Sequence, residues 1–180
     1  MKIKLLILLI IAVATGCQSL KFDRYPGEKQ SAFPKELQGT YLYIHESNNK
    51  SDTDTIIVSG NSYSAIESGI TTLKVLDAEN VFSTHSSKYF YFMKNESFWI
   101  GSEIKKHKKG LLLVPIINPT KNSTKRDQKI LNKYFEEVKF IPSGNTLEIS
   151  AFSVKMNEEN LLKYSKKINR FSIKLIQVKE

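Results

Sequence analysis

The sequence predicts a mainly β fold with two helices. An antiparallel meander of about ten short strands is expected to form a barrel or strongly curved sheet, with the helices packed at one side. Three observations carry this. Short runs of β-branched and aromatic residues recur from Gly39 onward, as half-buried strands prefer. Gly, Asn and Ser punctuate those runs at hairpin spacing. Helical apolar spacing is confined to two stretches near the C-terminus.

Taken in order, Gln18 to Gln38 holds Pro26-Gly27 and Pro34, mixed charge and no apolar period. That predicts a flexible tether over residues 17–38 and one β-rich domain over 39–180. About twenty flexible residues reach roughly 25 Å. Thr40 to Ile44 reads as the first strand of the domain, followed by a polar loop over 48–54. Thr55 to Ser59 and Ser62 to Ile66 flank Gly60-Asn61, a hairpin signal in which Gly60 would supply the positive φ of a type II′ turn. Thr71 to Leu76 and Val81 to Thr84 follow as strands. Lys88 to Met93 and Ser97 to Gly101 form a further hairpin. Side chains alternate along a strand, so Phe90 and Phe92 share one face while Tyr89 and Tyr91 share the other. Two loaded faces mark a central strand, or one bordering both a core and a pocket. Leu111 to Ile117 is another apolar strand.

Between Thr124 and Glu137, the apolar residues Ile130, Leu131, Tyr134, Phe135 and Val138 fall on one helical face. Lys139 to Ile141 and Thr146 to Val154 read as strands. Asn157 is an N-cap for a helix over Glu158 to Ile168, with acids in its first turn and lysines in its last. Leu161, Tyr164 and Ile168 mark its apolar stripe. Phe171, Ile173 and Leu175 alternate in a final strand.

The start of the chain carries an address. Met1-Lys2-Ile3-Lys4 is positively charged, and Leu5 to Val13 is uninterruptedly apolar. That run is too short for a hydrocarbon layer of about 30 Å, so it reads as a secretory signal over residues 1–16. Ala14-Thr15-Gly16-Cys17 resembles the bacterial lipobox, and Cys17 is the chain's single cysteine. The resemblance implies a lipoprotein: cleavage before Cys17, a diacylglycerol thioether on its sulfur, and often an N-acyl chain on the new amine. Two or three chains would anchor it durably, each buried methylene contributing about 0.8 kcal/mol. Gln18 follows the cysteine. By the same resemblance Gln18 implies sorting to the outer membrane, and with no acidic cluster directly after Cys17 the periplasmic face is expected. Phe33-Pro34-Lys35-Glu36-Leu37-Gln38-Gly39-Thr40-Tyr41 resembles the opening of lipocalin-like lipoproteins, with Gly39 and Tyr41 standing where Gly-x-Trp is usual. That resemblance implies a ligand-holding barrel. The layout is also similar to many small envelope lipoproteins of uncharacterised activity.

Composition narrows the partners. The net charge is +9, from 27 Lys and Arg against 18 Asp and Glu. Such a balance suits anionic headgroups, phosphates or acidic glycans. Yet the arginines are only Arg24, Arg126 and Arg170, and lysine is the poorer bidentate ligand for an anion. General solvation accounts for most of this charge. An exported, anchored chain offers no route to nucleic acid, and a monomer is expected.

Candidate chemistry is sparse. His45, His85 and His107 do not pair at metal-ligand spacing. Ser47-x-x-Lys50 and Ser102-x-x-Lys105 match an acyl-enzyme pattern, but neither opens a helix and the companion elements are missing. Asp52 and Asp54 lie on one side of an extended chain, where a solvated loop is favoured over a Ca²⁺ site. No catalytic residue, metal or cofactor is therefore assigned beyond the lipid on Cys17. Lys105, Lys106, Lys108 and Lys109 form the densest charge run, at an expected hairpin tip, and are candidates for contact with an anionic surface. Tyr41, Tyr43, Tyr89, Tyr91 and Trp99 are candidates for lining a ligand site. Three readings follow: a non-enzymatic binder of a small apolar ligand, lipid or envelope partner; an interaction or inhibitor-type factor with a solid core; and a hydrolase, which requires His45 or His85 to face a Ser or carboxylate in a cleft.

Overall fold

A computed structural model of the chain describes residues 20–47, 50–117, 124–141, 151–168 and 172–178. The signal segment, Cys17 and Phe171 lie outside them. So do the side chains of His45 and Asp52. The strands in chain order are β1 (Leu20–Phe22), β2 (Glu28–Gln30), β3 (Gly39–Ser47), β4 (Lys50–Val58), β5 (Ser62–Glu67), β6 (Ile70–Val75), β7 (Asn80–His85), β8 (Lys88–Asn95), β9 (Phe98–His107), β10 (Gly110–Pro115), β11 (Lys139–Ile141), β12 (Ala151–Val154) and β13 (Ile173–Gln177). The helices are α1 (Thr124–Leu131) and α2 (Glu158–Ile168), and a 3-10 turn spans Lys35–Leu37.

Two antiparallel meanders, β3 to β6 and β7 to β10, make up the main sheet. The C-terminal strand β13 joins them by pairing with β10 on one side and β3 on the other. The hydrogen-bonded order is β2-β7-β8-β9-β10-β13-β3-β4-β5-β6, with every neighbour antiparallel. The sheet is strongly curved, a half-barrel, so the expected mainly β fold with two helices holds. A short branch leaves β9 at Trp99, where β1 pairs antiparallel and then runs parallel to β12, with β11 outermost.

The two faces of the sheet carry separate cores. Phe90 and Phe92 of β8 point to the convex face, among Phe22, Leu131, Phe135, Phe152, Leu161 and Tyr164. Tyr89 and Tyr91 point to the concave face, among Tyr41, Ile56, Phe82, Ile104 and Leu175. The alternation read from β8 is thus what the fold uses. A helix or sheet must bury its apolar face against a second layer, and here α1, α2 and the β1 branch supply that layer on the convex side.

Several expectations are corrected. The tether expected over residues 17–38 is folded from Leu20 on: Leu20 and Phe22 are 0 % exposed in the convex core, and β2 pairs with β7. Long-range pairing overrides the loop-like local composition. The polar loop expected over 48–54 is strand from Lys50, in register with β3. The hairpin at Gly60-Asn61 forms, but Gly60 is not among the positive-φ glycines. The tip instead turns its carbonyls to neighbours, Gly60 accepting from Phe33 N–H and Asn61 from Leu76 N–H. The first helix ends at Leu131, where backbone bonds to Ile130 and Leu131 carbonyls tighten the chain through 132–135. Leu131 and Phe135 of its expected face are buried nonetheless. Asn157 caps α2 as expected, its Oδ1 accepting from Asn160 N–H at 3.0 Å.

Candidate functional site

Strands β4, β5, β8, β9, β10 and β13 all send apolar side chains to the concave face. Curvature keeps these from meeting completely, and a cavity of about 70 Å³ remains. Ile56 and Val58 come from β4, Tyr63 from β5, Tyr91 and Met93 from β8, Ser102 and Ile104 from β9, Leu111 and Leu113 from β10, and Leu175 from β13. Phe33 and Leu37 complete the wall from the segment before β3.

That segment is a plug held by specific bonds. Gln38 Nε2 donates to the Phe33 carbonyl at 2.7 Å, and Tyr41 Oη donates to the Leu37 carbonyl at 2.8 Å. At the rim, Glu36 accepts from Tyr89 Oη at 2.8 Å and lies 3.6 Å from Lys106 Nζ. The Tyr89 hydrogen bond, with Lys106 beyond it, holds the Glu36 carboxyl below its ordinary value.

Tyr63 and Tyr91 meet edge to face at the cavity wall, 5.4 Å between ring centroids. Their hydroxyls lie 3.4 Å apart, and Tyr91 Oη donates to Asn80 Oδ1 at 3.1 Å. Asn80 Nδ2 in turn donates to Asp77 Oδ1 at 3.0 Å. Burial pushes both tyrosine hydroxyls up, so both are neutral at physiological pH. The hydroxyl chain thus spends its donors within the protein.

Of the five aromatics expected to line a ligand site, Tyr91 lines the cavity. Tyr41 and Tyr43 are packed within the concave core, and Tyr89 reaches the rim. Trp99 lies on the opposite face, edge to face with Tyr25 at 5.0 Å. The sequence reading missed Tyr63, Phe33 and Ser102. Strand alternation gives the face of each residue, but which strands share a cavity depends on long-range register. In the lysine run, β9 continues to His107, so the tip is narrower than expected. Lys105 is engaged 3.3 Å from Glu103, Lys106 is engaged by Glu36, and Lys108 and Lys109 stand exposed at the turn.

Two polar clusters occupy the convex side. Glu103 is 1 % exposed and accepts from Ser165 Oγ at 2.6 Å, with Lys88 and Lys105 at 3.2 and 3.3 Å. Strand alternation separates Ser102 from Lys105: Ser102 faces the cavity while Lys105 turns to Glu103 across the sheet. Ser102 and Lys105 therefore form no catalytic pair, and the side chains of Ser47 and Lys50 lie outside the described residues. His85 Nδ1 lies 3.2 Å from Glu158 Oε2. Glu158 Oε1 is taken by Arg24 Nη1 at 2.9 Å and Gly27 N–H at 3.1 Å. This carboxylate binds the chain before β2 to α2, and no serine among the described residues is bonded to His85. No group of three or more His, Cys, Asp and Glu side chains suited to a metal occurs among the described residues.

No family model, curated protein or solved structure matches the chain.

Proposed function

We propose that this chain is a lipid-anchored envelope protein that holds one slender apolar ligand, an alkyl or acyl chain, and catalyses no reaction. The observation that carries the ligand reading is the concave cavity, walled by Phe33, Leu37, Ile56, Val58, Ile104, Leu111, Leu113 and Leu175. Pockets for compact drug-sized ligands enclose about 300–1,000 Å³. A volume of about 70 Å³ admits the end of a single chain and leaves no room for a fused-ring ligand. The anchor reading is supported by the lipobox-like Ala14-Thr15-Gly16-Cys17 behind its short apolar run. It puts the domain on the periplasmic face of the outer membrane, beside a reservoir of acyl chains.

A series of n-alcohols titrated into the purified protein tests the ligand reading. Each further methylene buried contributes about 0.8 kcal/mol, so affinity should rise about fourfold per carbon until the cavity is full, then level off. Val58→Phe should abolish binding while the fold persists. Absence of binding, or binding indifferent to V58F, overturns the reading. The mass of the native protein tests the anchor: an unmodified Cys17 or an intact leader removes it.

A second reading has its own observation. Among the described residues strand β6 pairs with β5 alone, and it exposes Ile70, Leu73 and Val75, at 56 %, 59 % and 41 %. An exposed apolar edge of this kind supports docking of an envelope protein.

A further inference from the structure

Ser102 is the anomaly in the cavity wall. It sits mid-strand on β9, directly opposite Tyr91 of β8, and is 6 % exposed. Its neighbour on the same face, Ile104, is apolar, and so is most of the rest of the lining. A serine there packs less surface than valine and brings a hydroxyl into an otherwise largely apolar lining. That hydroxyl has no side-chain hydrogen bond among the described residues, whereas the Tyr63 and Tyr91 hydroxyls beside it are engaged. Ser83 Oγ is the sealed side-chain oxygen without a partner among the described residues, whereas the Ser102 hydroxyl opens on the cavity. Ligand sites that are mostly apolar typically use a few such groups to orient the ligand.

The lining decides what charge that ligand can carry. Among the described residues it contains no Lys, Arg or His. A carboxylate brought against Ser102 would lose its hydration with no counter-charge to replace it, a prohibitive exchange. An uncharged hydroxyl or carbonyl loses far less and regains a hydrogen bond. Resting on the cavity reading above, we propose that the ligand is an aliphatic chain carrying one uncharged hydrogen-bonding group, a hydroxyl or an ester carbonyl, which enters the cavity and bonds Ser102 Oγ. A free fatty acid is thereby discriminated against in its ionised form.

The test compares 1-hexanol, hexane and hexanoate at pH 8, titrated into the purified protein and its Ser102→Ala and Ser102→Thr variants. Shifts of the Ile104 and Leu111 methyl resonances report occupancy. A neutral hydrogen bond corresponds to about three- to tenfold in affinity. S102A should raise the Kd of hexanol by that factor and leave hexane unchanged. S102T, which keeps the hydroxyl, should restore the hexanol-to-hexane ratio even where its extra methyl weakens both. Hexanoate should bind the wild type more weakly than hexanol and be indifferent to S102A. Equal effects of S102A on hexanol and hexane, or tightest binding by hexanoate, overturn the proposal and leave the cavity reading standing. No methyl shift with any probe in the wild type removes both.

Discussion

Ser165 donates a 2.6 Å hydrogen bond to Glu103 Oε2, tying helix α2 to the middle of strand β9. The bond serves a carboxylate that is nearly closed off from solvent and shared with Lys88 and Lys105. Hydrogen bonds to buried charges contribute about 1.5–3 kcal/mol. Ser165→Ala is expected to destabilise the protein by that amount in urea unfolding, with an unchanged m-value. A negligible shift would mean that the two lysines satisfy Glu103 unaided.

The same carboxylate gives the protein an acid signature. Burial pushes Glu103 up, but Ser165, Lys105 and Lys88 outweigh it and hold it below the ordinary 4.5. A depressed folded-state pKa means that the unfolded chain takes up the proton first. The stabilisation is therefore complete above the ordinary value and is lost as pH falls through the folded one. Asp77, held low chiefly by the Glu79 N–H, and Glu158, held low chiefly by Arg24, act in the same direction. Thermal unfolding should begin to fall in temperature as pH drops below 4.5. Glu103→Gln should be less stable at neutral pH and converge with the wild type in acid. Parallel curves would show that Glu103 takes no part.

Ser83 tests the opposite case, a buried hydroxyl without a partner. It is 0 % exposed on β7, and its Oγ makes no hydrogen bond among the described residues. Ser83→Ala removes an unsatisfied group with almost no change in volume. It is expected to stabilise the fold by about 1 kcal/mol. A loss of stability would reveal an ordered water bound there.

What the sequence made legible was local. The faces of β8 followed from the two-residue period of a strand, and the start of α2 from the hydrogen-bonding reach of Asn157. What it hid was long-range. Leu20-Lys21-Phe22 is too short to show a period, and its burial depends on β12, at the far end of the chain. The cavity was half legible. Tyr91 belonged to a strand with two loaded faces, yet its neighbours Tyr63 and Ser102 come from strands whose register no local pattern fixes. Trp99 drew attention as a large aromatic, but it shares the face of Glu103 and so looks away from the lumen.

Two glycines that look alike in sequence should respond oppositely to alanine. Gly60 has no positive φ, and a Cβ there meets nothing within 4 Å. Gly60→Ala should stabilise by about 0.4–1 kcal/mol, through the lost freedom of the unfolded chain. At Gly101 a Cβ would fall 2.5 Å from the Tyr91 carbonyl oxygen and 2.6 Å from Phe92 Cγ. Both are held in the sheet interior. Gly101→Ala should cost about 1–3 kcal/mol, the usual range for overpacking. Equal midpoints for the two variants in denaturant would contradict the packing described around β9.

On the proposed lipid anchor, the folding of β1 changes how the domain would meet a membrane. A flexible tether through Gln38 would have let it stand roughly 25 Å clear. With β1 in the convex core, only Gln18 and Ser19 separate Cys17 from Leu20. At about 3.3–3.6 Å per residue, that span reaches about 10 Å at full extension. Phe22→Ala should then cost about 3–5 kcal/mol, a core value, where a tether residue would cost little. With the proposed lipid on Cys17, neutron reflectometry on a supported bilayer should place the domain within about 10 Å of the headgroups. A gap near the longer reach would mean that β1 comes away from β12 when the anchor is inserted. The stability of Phe22→Ala measured off the membrane separates that outcome from a strand that never docks.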